Sequence, residues 1–214
     1  MNQSFAVLGL GKYGKSLALA LYEKGVDVLV ADKNASLIQE FADKVTAAVV
    51  ADLENEDELK ALGLEHMDVV IVATSSNLAA SILTVLTARE EGVPYIVAKS
   101  SSTKMTQVLK KVGADRVIDP EEESGIRSAR VLTSSTVLDV FDVDEHLCMA
   151  EIRPKDYWVG KSLKELNLRR KHNINVVAAK QTDGRWINLD PDTKLSSAEN
   201  LLVVTDRDNL EALR

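Results

Sequence analysis

The residues with the most chemistry to offer are Gly9-Leu10-Gly11-Lys12-Tyr13-Gly14 and the carboxylate of Asp32, 18 residues after the last of these glycines. The glycines directly follow an apolar run, Phe5 to Leu8, and open a stretch of helical periodicity. Asp32 closes the next apolar run, Val26 to Ala31, with Lys33 and Asn34 beside it. Strand, glycine loop, helix, strand and acid in that order make a dinucleotide-binding fingerprint. Gly9 permits the tight turn, and Gly11 lets the backbone approach a pyrophosphate seated on the helix N-terminus. Gly14 allows close helix–strand packing. Asp32 is the expected acceptor for ribose hydroxyls, and its charge disfavours a 2′-phosphate. NAD, ATP and ADP all present that adenosine half, so the motif does not choose among them.

Further candidates stand where later strands end. They are Asp52 and Leu53, then Thr74, Ser75 and Ser76 with Asn77, then Lys99, Ser100 and Ser101. Hydroxyls and backbone amides suit ribose and phosphate, and Lys99 suits phosphate charge. Glu121, at the sixth strand's tip, is placed to meet a divalent cation carried by a nucleotide.

Catalysis finds less support. A dehydrogenase needs an acid or base beside the nicotinamide, yet His66 precedes a strand and His146 and His172 lie far along the chain. Tyr95 and Lys99 share the spacing of a known catalytic pair, but on a strand they stand about 13 Å apart. His146 and Cys148 have no further metal-ligand pair nearby. The basic run Arg169-Arg170-Lys171-His172 reads either as a solvated patch or as an anion site, Arg169 being its best candidate.

The elements that must hold these residues follow from the pattern. The 214 residues are 45% hydrophobic and 28% charged, with a net charge of −7. That supports packed cores and argues against a general nucleic-acid binder. One cysteine excludes a disulfide framework and fits a reducing compartment. No apolar stretch approaches a membrane span, and no signal peptide is expected. Apolar runs at Phe5–Leu8, Val26–Ala31, Ala47–Val50, Val69–Ala73, Tyr95–Ala98 and Val117–Ile118 alternate with helical stretches. The expected fold is α/β, a doubly wound (Rossmann) parallel sheet over residues 1–120. Residues 121–144 carry an apolar helical stripe of Ile126, Ala129 and Leu132. Val137, Leu138, Val140 and Phe141 follow with no strand partner evident, suiting either the chain's own sheet or a second copy. Residues 145–214 read as a small α+β unit. With so few residues beyond the sheet, a small NAD-dependent oxidoreductase is the weaker alternative.

Five stretches together resemble a known family: FAVLGLGKYG with Asp32, VVIVATSSNLAASILT, VAK with Lys99, VGADRVIDPE, and GKSLKELNLRRKHNINVVAAK. Residues 1–120 resemble the RCK (TrkA-N) domain that regulates potassium transport, and 145–214 its TrkA-C companion. The pattern is similar to the KtrA/KtrC branch, cytosolic gating subunits of Ktr uptake systems. The resemblance implies ATP, ADP or NAD(H) held by Gly9, Gly11, Lys12, Tyr13, Gly14, Asp32, Lys33, Asn34, Asp52, Leu53, Thr74, Ser75, Ser76, Lys99, Ser100 and Ser101. It implies Glu121 at a divalent cation, Mg or Ca, between subunits, with residues 121–144 as a dimerising crossover helix. It implies cyclic di-AMP near Asn167, Leu168, Arg169 and Asn175. It further implies a homodimer assembling into a ring, an octamer, cytoplasmic and held at the membrane through a potassium channel or transporter subunit. A regulator of a different cation transporter is the other family-level alternative. Lys12 stands where the family pattern has Arg, and the lysine keeps the charge but lacks the bidentate fork.

Overall fold

β-branched apolar runs fit a pleated surface buried on both faces, and six of them build one parallel sheet here. The computed structural model describes residues 3–74 and 77–211, in two compact units, Met1–Glu122 and Glu123–Arg214. The first unit runs β1 (Ser4–Leu8), α1 (Lys12–Glu23), β2 (Asp27–Asp32), α2 (Ala35–Phe41), β3 (Ala47–Val50) and α3 (Glu56–Lys60). It continues with β4 (Val69–Val72), α4 (Leu78–Glu90), β5 (Tyr95–Lys99), α5 (Thr103–Lys111) and β6 (Arg116–Ile118). The strand order is β3-β2-β1-β4-β5-β6, all parallel, so the chain reverses direction across the sheet between β1 and β4.

Period-two alternation divides the core between the two faces. Ala6 and Leu8 of β1 and Val70 and Val72 of β4 enter one cluster with Leu59, Val85 and Leu109. Val7 and Ile71 enter the other, with Leu10, Ile38 and Phe41. Each such fully buried aliphatic side chain contributes about 1.5–3 kcal/mol. The register also levels the sheet's carboxyl edge. Ala31, Leu8, Val72, Ala98 and Val117 pair in one row. Asp32, Gly9, Ala73 and Lys99 each follow one residue later, at the rim.

Side chains cap most helices of this unit. Asn34 accepts from Ser36 N–H, Asn55 from Asp57 and Glu58, Asn77 from Ala79 and Ala80, and Ser102 from Met105. Helix α1 differs: it starts at Gly11, which has no side chain to cap it. The periodicity reading did not find α2 and α3, whose seven and five residues are too short to show a repeat.

The Gly113-Ala114-Asp115 stretch is a structural clasp. The guanidinium of Arg89 donates to the carbonyls of Gly113 (2.6 Å) and Val93 (3.2 Å) and to Asp115 Oδ2 (2.7 Å). The same carboxylate oxygen takes the Ile96 N–H at 2.7 Å, joining α4, β5 and the entry to β6. Burial pushes the Asp115 carboxyl up, but the Ile96 N–H and Arg89 outweigh it and hold it below the usual carboxylate range.

Helix α6 (Pro120–Leu132) leaves the first unit and continues into the second, where it buries no residue; Ile126 and Leu132 are exposed. β7 (Val137–Asp142) follows, then β8 (Leu147–Ile152), α7 (Leu163–Leu166), α8 (Leu168–His172), β9 (Asn175–Lys180), β10 (Trp186–Ile187), β11 (Asn200–Asp206) and α9 (Arg207–Glu211). Two arginines tie α6 to β7. Arg127 grips Asp139 at 2.8 and 2.6 Å, and Arg130 grips Asp142 at 2.8 and 2.7 Å.

Contrary to expectation, Val137, Leu138, Val140 and Phe141 do have a strand partner. β7 pairs antiparallel with β8 at the edge of a five-stranded sheet ordered β10-β9-β11-β8-β7. The Asp144 carboxylate closes this hairpin by accepting the N–H groups of His146 and Leu147, both at 2.7 Å. A bulge between Val137 and Asp139 breaks the alternation, and the turn carries no glycine, so both usual signals were lost. In the core of this unit Trp158, Ile174 and Leu201 are almost fully buried. A Ser162–Glu165 capping box starts α7. Asn167 then turns left-handed at φ 50° and starts α8, a helix the periodicity reading missed.

Candidate nucleotide site

The edge where the parallel sheet changes direction is where ligands of such sheets bind. A cleft of about 400 Å³ opens there, in the range of small-molecule sites. Its walls bring together Gly9, Gly11, Asp32, Lys33, Asn34, Asp52, Leu53, Thr74 and Lys99 of the expected residues.

Asp32 anchors the arrangement. Its Oδ2 takes the Leu10 N–H at 2.7 Å and its Oδ1 the Asn34 N–H at 2.9 Å. The carboxylate thus fixes the glycine loop to the tip of β2 while standing in the cleft wall. The loop is drawn onto the sheet by the Gly9 N–H, which donates to the Ala31 carbonyl at 2.8 Å. Gly9 itself adopts φ +103°, a conformation that needs glycine. Gly11 has ordinary extended backbone, and a Cβ there would meet nothing within 4 Å. A Cβ on Gly14 would overlap the carbonyl oxygen of Gly9 and crowd Ala73 Cβ at 3.2 Å. Gly14 therefore allows α1 to lie close on the sheet, while Gly11 keeps the cleft wall open.

At the far wall Lys99 is nearly buried and donates from Nζ to Glu121 Oε1 at 2.6 Å. The hydrogen bond from Lys99 holds the Glu121 carboxyl below the usual carboxylate range. Glu121 is otherwise exposed, and no group of three or more metal-ligand side chains occurs among the described residues.

Several expected contacts stand elsewhere. Ser100 is buried, and its hydroxyl is used in the entry to α5, donating to the Ser102 carbonyl at 2.8 Å and accepting the Ser102 N–H. Ser101 Oγ lies 3.8 Å from Met105 Sδ, outside the cleft wall. Tyr13 packs against the core on its own face of the sheet, and Lys12 is exposed at the start of α1. Ser75 and Ser76 lie outside the described residues. The residues that sequence reasoning missed are Leu10, Leu37, Glu54, Ala73 and Ala80. They are mostly apolar neighbours of the polar candidates, and nothing in their type signals a ligand.

In the second unit none of the four residues proposed for another ligand lines the hollow between Lys155 and Asn209. Leu168 is 4% exposed and its side chain belongs to the core, because α8 must bury one face against the sheet. Asn167 makes the left-handed turn, and Arg169 and Asn175 are exposed. That hollow, of about 310 Å³, is lined by Lys155, Tyr157, Arg170, Lys171, His172 and Asn173 among others.

Sheet order, glycine loop, anchored acid and cleft define a Rossmann-type unit joined to a small antiparallel α+β unit. Residues 5–120 match the TrkA-N domain family and residues 149–214 the TrkA-C domain family, and the chain belongs to the family that joins these two domains. It is 38% identical to Ktr system potassium uptake protein C of Bacillus subtilis, over 95% of this chain and 92% of the relative. It is 31% identical to Ktr system potassium uptake protein A of the same organism, over 98% and 95%. The fold matches the GsuK channel bound to NAD with a TM-score of 0.67 at 17% identity, covering all of this chain and 39% of that one. GsuK bound to ADP matches with a TM-score of 0.54 at 16% identity, over 64% of this chain and 36% of that one. This chain thus spans well under half the length of the GsuK chains.

Proposed function

We propose that this chain is a nucleotide-sensing regulatory subunit of a Ktr-type potassium uptake system, not an enzyme. The observation that carries the nucleotide reading is Asp32, fixed in the cleft wall while it holds the glycine loop in place. The relatives' names supply the transport setting. No helix of the described residues is long and apolar enough to cross a membrane. The transport path in this reading belongs to a membrane channel or transporter subunit that the chain regulates. We place the chain in the cytoplasm, peripheral to the membrane through that partner.

The cleft fits an adenine nucleotide. Asp32 accepts hydrogen bonds from the ribose hydroxyls on lone pairs its two backbone donors leave free. The uncapped start of α1 faces the phosphates with its positive dipole end, and Gly11 clears the way for them. ATP and ADP suit this set, and NAD(H) suits the same adenosine half. Glu121 supplies one carboxylate toward a divalent cation, Mg or Ca, in an assembled dimer. The exposed face of α6 serves as that dimer's contact, with dimers building the ring. Asn167, Arg169 and Asn175 remain the proposed residues for cyclic di-AMP, outside the cleft and without Leu168.

Mass spectrometry of small molecules released from the native oligomer tests the reading. An adenine nucleotide near one per chain is expected, and a ligand of another class contradicts it.

A further inference from the structure

The Lys99–Glu121 pair is lopsided. The Lys99 side chain is 10% exposed in the cleft wall, whereas that of Glu121 is 67% exposed in the first turn of α6. A buried ammonium left without an acceptor is costly, but an exposed carboxylate released from its partner is simply hydrated. Another anion arriving in the cleft can therefore take Lys99 from Glu121 at little cost. A group without negative charge offers the lysine no such exchange.

The cleft decides which part of a ligand arrives there. Asp32 and Asn34 mark the β2 end, Gly9 and Gly11 the middle, and Thr74 and Lys99 the β4–β5 end. A nucleotide with its ribose on Asp32 and its first phosphates beside Gly11 points its remaining atoms toward Lys99. In ATP those atoms are a further phosphate. In NAD they are a nicotinamide riboside, which adds no negative charge.

We propose that Lys99 sorts ligands of this cleft by the charge of their far end. A polyphosphate draws the lysine off Glu121, and a nicotinamide end leaves the Lys99–Glu121 pair closed. This deepens the nucleotide reading and rests on it. Its consequence is local and directional. Only a polyphosphate frees the first turn of α6, the helix that runs from the first unit into the second.

The test is calorimetric titration of the full chain with ATP and with NAD, in chelator so that no divalent cation intervenes. Glu121→Gln removes the competing charge from an exposed position, and the ratio of ATP to NAD affinity is expected to rise roughly tenfold, the scale of one charge-assisted hydrogen bond. Lys99→Met keeps the length of a nearly buried side chain and is expected to lower that ratio by at least as much. Should Lys99→Met not fold, Glu121→Gln still decides. A ratio that stays put or falls in Glu121→Gln overturns the proposal. A wild-type chain that binds neither nucleotide refutes the nucleotide reading itself, and the proposal with it, an outcome distinct from an unmoved ratio.

Discussion

Asp32→Ala is expected to lower the affinity for both ATP and ADP by about 100-fold or more. The size of the effect comes from two losses at one carboxylate. Ribose hydroxyls lose a charged acceptor, and each such hydrogen bond is worth roughly 1.5–3 kcal/mol. The glycine loop also loses its tie, because the N–H groups of Leu10 and Asn34 both end on Asp32. Asp32→Asn keeps part of each contribution. Its single amide oxygen accepts one of the two backbone N–H groups while its NH2 faces the other, and it carries no charge, so its stability and its affinity are expected to fall between those of the wild type and Asp32→Ala. Calorimetric titration reads both variants, and undiminished affinity in Asp32→Ala means the ligand sits elsewhere.

The second large effect divides two glycines of one motif. Gly14→Ala forces a methyl against the Gly9 carbonyl, which is backbone and cannot swing aside. Overpacking of that kind costs about 1–3 kcal/mol or more, and relief requires α1 to move off the sheet. Gly11→Ala meets nothing within 4 Å and needs no unusual backbone angle. Its stability is expected within about 1 kcal/mol of wild type, the cost of alanine at an N-cap. Its nucleotide affinity is expected to fall roughly tenfold, because the methyl stands where phosphates approach the loop. Urea denaturation and titration on the same samples separate the two. Equal stability losses at both positions contradict the distinct roles assigned to Gly11 and Gly14.

What the sequence disclosed and what it concealed follow from range. The six parallel strands were legible because each is an apolar run between turn residues, and strand and loop chemistry are local. Asp32 was legible because its distance from the glycines is set by one helix and one strand. β7 was not, because a bulge at Val137–Asp139 hides its alternation and its turn is closed by the Asp144 side chain rather than by glycine. Ser100 is expected at a ligand from its place at a strand end and Leu168 from the family resemblance; the fold uses the Ser100 hydroxyl in the entry to α5 and buries the Leu168 side chain, which no local pattern disclosed. The Lys99–Glu121 pair joins residues on different elements, 22 positions apart, and only the sheet register brings them together.

A nucleotide can regulate an assembly only by binding one of its shapes better than another, and couplings of about 1–3 kcal/mol are typical. Small-angle scattering of the chain in its native assembly at saturating ATP, and separately at saturating ADP, reads that difference directly. Two distinct profiles are expected, the proposed ring changing its dimensions when one nucleotide is exchanged for the other. Superimposable profiles at proven saturation contradict nucleotide sensing as the function of this chain.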